Sequence, residues 1–263
     1  MGIYDRDYYR EPQPRRQWGN FSPVSVTTWL IAINVLVFVI DAFLHHQAMQ
    51  PYARLSRAAQ RYFELTQVGP PPLERWGYFS LTTAITHLQL WRFLTFQFLH
   101  ANLGHLFANM LGLYFFGPLV ESYFGARRYI AFYLFCGSAG AATYLLLLMV
   151  GMLQGPDVPL VGASAGIFGV LIAGAMIAPN LTVMLLFPPI PIKFKYLALG
   201  LVAYATYVAV TNGPNAGGQT AHIGGAVLGF IFMRYPILLR PFGPGSRARA
   251  RRRATTWSND FDR

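Results

Sequence analysis

The sequence predicts an all-α polytopic membrane protein, a six-transmembrane-helix bundle with a long structured loop between its first and second helices. Three observations carry this reading. Hydrophobic residues make up 54% of the 263 positions and charged residues only 12%, about half the ~25% usual in a soluble domain. The formal net charge is nevertheless +11, and basic residues beside long apolar runs belong to the polar edges of a membrane protein. Charged residues are also absent from five long segments: Arg16 to Asp41, Arg92 to Glu121, Arg128 to Asp157, Asp157 to Lys193 and Lys195 to Arg234. A disordered chain, a coiled coil and an ordinary cytosolic globule are excluded on composition. The single cysteine, Cys136, excludes an internal disulfide and a cysteine zinc cage.

A helix needs about 20 mostly apolar residues to cross the hydrocarbon core. The charge-free segments place helices at about 24–44, 103–122, 128–153, 164–178, 195–211 and 220–238. The last segment holds two of them, divided by the turn-rich run from Asn212 to Gln219. The chain then reads as an N-terminal tail (1–23), a membrane domain (24–238) and a basic C-terminal tail (239–263). The first 23 residues contain four arginines and no apolar core, so no cleavable signal peptide is expected and the first helix serves as its own insertion signal.

Of the 21 Lys and Arg residues, Arg54, Arg57, Arg61, Arg75 and Arg92 lie in the loop between the first two helices, and all others fall on the opposite side. That asymmetry predicts both termini in the cytoplasm, and the absence of a targeting segment favours a bacterial inner membrane. The run from Arg247 to Arg253 reads as a solvated or headgroup-touching tail; charge alone is a poor argument for a nucleic-acid partner. Within the long loop, Leu55, Ala58, Ala59, Tyr62 and Phe63 recur at helical spacing opposite Arg54, Arg57 and Arg61. That pattern describes a short amphipathic helix lying on the membrane surface. No internal repeat is visible, which counts against an inverted-repeat transporter. Asp41, the one acid of the first helix, reads as lying near its outer end, in reach of water.

Nucleophilic or ionisable side chains at membrane depth are functional candidates because burying them is costly. In Val161-Gly-Ala-Ser-Ala-Gly-Ile-Phe-Gly169, Ser164 stands where a Gly-containing loop turns into a helix. Free backbone N–H groups and the positive helix end are suited there to a developing oxyanion; from this segment alone an ordinary N-cap, with Gly and Ala there for close helix packing, is the plainer reading. His222 opens the last helix. Gly225 and Gly229 behind it face a matching small-residue row at Ala165, Gly169 and Ala173. Two such faces allow close backbone approach, which would bring Ser164 and His222 within hydrogen-bond reach; a structural histidine at a helix end is the alternative. His105 and Asn109, four apart, share one face of the second helix. They suit either an oxyanion hole or an interhelical hydrogen-bond pair. His100 reads as a loop-stabilising residue. No carboxylate is near His222, so Phe168, one turn after Ser164, is the candidate to stack on the imidazole. A metal centre is disfavoured: there is no HExxH and no acid beside the histidines.

These residues resemble the rhomboid intramembrane serine proteases over roughly residues 27–238. The marks are Trp91-Arg92 in the first loop, His105-x-x-x-Asn109, Gly162-x-Ser164, Ala221-His222-x-Gly-Gly225 and Gly117-x-x-x-Glu121-x-x-x-Gly125. The resemblance implies a serine endopeptidase with Ser164 as nucleophile and His222 as general base. It also implies an oxyanion hole from His105, Asn109 and the Ser164 N–H, with no cofactor and no metal. Trp91 and Arg92 would structure the loop, and Gly162, Phe168 and Gly225 would support the site. Expected partners are the lipid bilayer and membrane-protein substrates with a transmembrane helix. The family often has Gly directly after the serine; here Ala165 stands there and Gly follows at 166. The alternatives are a catalytically silent rhomboid-like protein that binds membrane clients, and a small transporter.

Overall fold

The computed structural model describes residues 25–153, 157–185 and 188–243; the N-terminal tail and the basic run from Arg247 lie outside them. Its helices are α1 (Val26–Met49), α2 (Arg57–Phe63), α3 (Pro72–Gly77), α4 (Arg92–Thr95), α5 (Leu103–Phe124), α6 (Ala126–Met149), α7 (Ser164–Ile177), α8 (Phe194–Val210) and α9 (Ala216–Arg234). The six long ones, α1 and α5 to α9, are the helices delimited by the charge-free segments, with ends shifted by a few residues. By length and composition α1, α5 and α6 are each able to cross a membrane. So is α9 if taken with the 3-10 turn Pro236–Phe242, from which it is bent by 89°.

At 14 residues, α7 is only about 21 Å long, short of the ~30 Å hydrocarbon core. It is sheathed by its neighbours: α6 and α9 flank it, with α5 and α8 also in contact. Small residues make that packing possible. A Cβ on Gly225 would strike the carbonyl oxygen of Ala165, and one on Gly229 would lie 2.7 Å from the Gly169 Cα. The α7 and α9 backbones therefore touch where their small-residue rows meet.

Two carboxylates, Glu121 half-buried and Asp41 buried, tie the bundle ends together. Glu121 on α5 accepts from the backbone N–H groups of Val26 (2.8 Å) and Thr27 (2.9 Å) and from the Thr27 hydroxyl (2.7 Å), capping α1. Asp41, which the sequence reads as a water-reaching acid, is largely buried and has backbone partners as well. It is 8% exposed and accepts from the N–H groups of Leu73 (2.7 Å) and Glu74 (3.0 Å) at the start of α3. A helix start supplies unpaired N–H donors that stabilise a buried anion, and periodicity within α1 carries no sign of that distant partner.

The loop between α1 and α5 is folded throughout. Arg92, 5% exposed, donates to Gln89 Oε1 (2.6 Å), the Tyr78 carbonyl (2.6 Å) and the Arg75 carbonyl (3.0 Å), while Trp91 stacks on Trp76. The amphipathic segment forms α2, with Phe63 stacked on Tyr52. Two features were not legible. One is a two-stranded antiparallel ribbon, β1 (Thr182–Met184) with β2 (Pro191–Lys193), between α7 and α8. The other is the continuation of packing beyond residue 238, where Leu239 is fully buried in the main core.

Asp157 fastens the long loop to the segment preceding α7, accepting from the N–H groups of Leu81 and Thr82, each at 2.7 Å. Burial acts to raise this carboxyl, but the hydrogen bonds from Thr82 and Leu81 outweigh it and hold the group below its ordinary value. A carboxyl lowered in the fold stabilises above its unfolded pKa, about 3.9, and that contribution is lost as pH falls through the folded value. Hydrogen-exchange protection of the Leu81 and Thr82 amides is thus expected to hold at pH 6 and to collapse below about pH 4. In Asp157→Asn it should already be weak at pH 6.

Candidate active site

The serine loop is built before the serine itself. Phe79 and Leu160 form an antiparallel bridge through paired backbone bonds of 3.0 and 2.7 Å, and the Gly162 N–H donates to the Phe96 carbonyl at 2.9 Å. Gly162 has φ +127°, a conformation that side chains rarely tolerate. Its missing side chain also makes room: a Cβ there would lie 2.7 Å from the His105 ring and 3.6 Å from Asn109 Nδ2. The loop therefore delivers Ser164 as the first residue of α7 with His105 and Asn109 beside it.

His222, in the second turn of α9, places Nε2 2.7 Å from Ser164 Oγ. Its Nδ1 lies 3.0 Å from Gln219 Oε1, and its ring stacks on Phe168 with centroids 4.2 Å apart and planes 9° apart. A carbonyl oxygen only accepts, so in this arrangement Nδ1 carries the proton and Nε2 offers its lone pair to the serine hydroxyl. Asn109 is 6% exposed, and its Nδ2 has no hydrogen-bond partner. A buried N–H donor without an acceptor costs about 1–3 kcal/mol, and here it faces the serine loop. His105 is half-buried, with its ring edge-on to His100 at 5.1 Å. Burial, followed by the neighbouring His105, pushes His100 down to about 3, so this loop histidine is neutral at physiological pH.

Ser164, His222, Phe168, His105, Asn109 and Gly162 thus converge, and Gly225 lies directly behind Ser164 against Ala165. Gln219 was missed in the sequence. Its only signal is its position three residues before His222, on the same helical face, within a run that reads as a loop.

A Rhomboid domain family model matches residues 87–238. This chain belongs to the rhomboid family. Among curated proteins it is 32% identical over 239 residues to RHOMBOID-like protein 5 of Arabidopsis thaliana, covering 90% of this chain and 73% of that one. It is 29% identical over 239 residues to RHOMBOID-like protein 1 of the same plant, covering 86% of this chain but only 58% of the relative's length. Inactive RHOMBOID-like protein 8, also from Arabidopsis, is 27% identical over 163 residues, 57% of this chain and 44% of that one. A rhomboid fold is therefore compatible with an inactive protein, and activity has to be argued from the side chains. Within this rhomboid, the Gly117 to Gly125 stretch carries the Glu121 clamp on α1, and Trp91-Arg92 lies in the folded loop, away from the reacting groups.

Proposed function

We propose that this rhomboid protein is an intramembrane serine endopeptidase acting through a Ser164–His222 dyad. The observation that carries the reading is the 2.7 Å contact between Ser164 Oγ and His222 Nε2, a nucleophile within reach of its base. Ser164 Oγ attacks a peptide carbonyl carbon as His222 Nε2 takes the hydroxyl proton. His222 then returns that proton to the leaving amine, and water hydrolyses the acyl-enzyme by the same route. The Asn109 amide, with its unused donor, His105 and the Ser164 N–H would receive the oxyanion. Neither a metal nor a cofactor is needed for these steps.

The substrates proposed are membrane proteins whose transmembrane helix must partly unwind to present its backbone. Small or helix-breaking residues make that unwinding cheaper. The topology proposed with the activity has the membrane domain from residue 24 to the end of the packed Pro236–Phe242 turn, with a polar tail on each side. Both termini lie in the cytoplasm by the Lys/Arg asymmetry. The Arabidopsis relatives give no support to the bacterial inner membrane that the sequence favours, and the proposal extends to the topology alone.

The test is labelling of the purified protein by a fluorophosphonate. Wild type is expected to label and Ser164→Ala to remain blank. An unlabelled wild type with an intact thermal transition would favour the client-binding reading instead.

Gln219 acts on the dyad through His222. Removing its carbonyl frees the imidazole to rotate or change tautomer, and one such hydrogen bond is worth about 1 kcal/mol, or roughly fivefold in rate. Gln219→Leu is expected to lower kcat by that order with KM unchanged. Gln219→Glu places a negative charge beside Nδ1, favouring the imidazolium, so the acidic limb of the kcat/KM profile moves to higher pH.

A further inference from the structure

Gln97 is fully buried in the 3-10 turn Phe96–Phe98, which continues directly from α4. Its Nε2 donates to two carbonyls, that of Phe93 one turn earlier at 3.1 Å and that of Leu134 on α6 at 3.2 Å. The Ser138 hydroxyl of α6 donates to the same Phe93 carbonyl at 3.0 Å. Helix α6 opens a notch for the carboxamide at Gly137. A Cβ there would overlap Gln97, and the three atoms nearest to it all belong to that side chain. Gln97 Oε1 rests against the notch without a hydrogen-bond partner. An unpaired buried acceptor is costly, and an apolar side chain of similar volume would fill the same space without that cost. Packing alone therefore does not account for a glutamine here.

What the glutamine fixes is the neighbouring peptide. The Phe96 carbonyl, one residue before it, accepts from the Gly162 N–H at 2.9 Å, and Gly162 stands two residues before Ser164. The turn is thus bonded to α6 through Gln97 and to the serine loop through Phe96. We propose that Gln97 is a positioning residue of the candidate site. Seated at Gly137, it holds the Phe96 carbonyl that fixes Gly162, and so aims the Ser164 hydroxyl and N–H. It acts only through that chain, making no hydrogen bond to Ser164, His222, His105 or Asn109. The effect on rate rests on the protease reading, whereas the link from Gln97 to Gly162 is readable without any activity.

Two measurements on the full chain in detergent test this. Gln97→Met removes both N–H donors at similar volume, and Gly137→Ala drives the carboxamide from its notch. In hydrogen exchange, each is expected to speed the Gly162 amide by about tenfold or more. The Leu160 amide, held by Phe79, should keep its protection. In cleavage of a transmembrane substrate, each should lower kcat by at least about tenfold with KM within about twofold, because misaimed reacting groups slow the chemical step. Gly137→Ala added to Gln97→Ala should cost little further, since the atoms it strikes are gone. Four results overturn the proposal: wild-type Gly162 exchange in Gln97→Met, Leu160 freed together with Gly162, full kcat with Gly162 freed, or additive losses in the double variant. A folded wild type that cleaves nothing sinks the protease reading instead, and Gly162 exchange then decides the positioning link by itself. If Gly137→Ala fails to fold, Gln97→Met carries both measurements.

Discussion

His222→Ala is expected to reduce cleavage of a transmembrane substrate by about 10⁴-fold or more, to background, with the thermal transition moved by no more than a few degrees. The imidazole accepts the serine proton at 2.7 Å and stacks on Phe168, and no other base lies within reach of Ser164 Oγ among the hydrogen bonds of the described residues. The surrounding fold depends on Gly224, Gly225 and Gly229 of the same helix rather than on the ring. Substrate binding should survive, so the loss should appear in kcat. Retained cleavage in this variant would sink the dyad, whatever the labelling of Ser164.

Gly225→Val is expected to be as damaging by a different route. Any Cβ at this position runs into the Ala165 carbonyl, backbone against backbone, so no flexible side chain is available to move aside. Overpacking of this kind costs about 1–3 kcal/mol. The separation of α9 from α7 also moves His222 off Ser164, and a displacement of about 1 Å is enough to cost on the order of 100-fold in rate. Both a lowered unfolding temperature and at least a 100-fold loss of kcat/KM are expected. Gly200→Ala on α8, where an added Cβ meets nothing within 4 Å, should leave kcat/KM unchanged and not lower the unfolding temperature. A Gly225→Val protein with wild-type kinetics would show that α7 and α9 are not held at this contact.

The features legible in the sequence are those governed by short-range pattern and by solvent. The six long helices follow from where charges are excluded, and the meeting of α7 with α9 follows from small residues at fourfold spacing. Groups that hold the site in place were not legible where they depend on a partner far along the chain or, for Gln219, on where a helix begins. Asp41 reads as a solvated acid until the start of α3, 32 residues later, is known to donate to it. Gln219 reads as loop because Gly217 and Gly218 precede it, yet α9 begins at Ala216, and only the folded helix turns its amide toward His222. The β1–β2 ribbon has three residues per strand, too few for alternation to register. Phe79 pairs with Leu160 across about eighty residues without any pattern to announce it.

That last pairing bears on where the working unit of this protein begins. The Rhomboid match starts at residue 87, whereas Phe79, Leu81 and Thr82, which grip the segment leading to Ser164, all precede it. A fragment cut at the recognised boundary would keep every reacting group and lose part of the frame that aims them. Its natural left-hand limit is α1 itself, since Asp41 anchors α3 and Glu121 anchors the first turn of α1. Transplanting the chemistry into another scaffold would mean moving the chain from Ser25 onward as one piece.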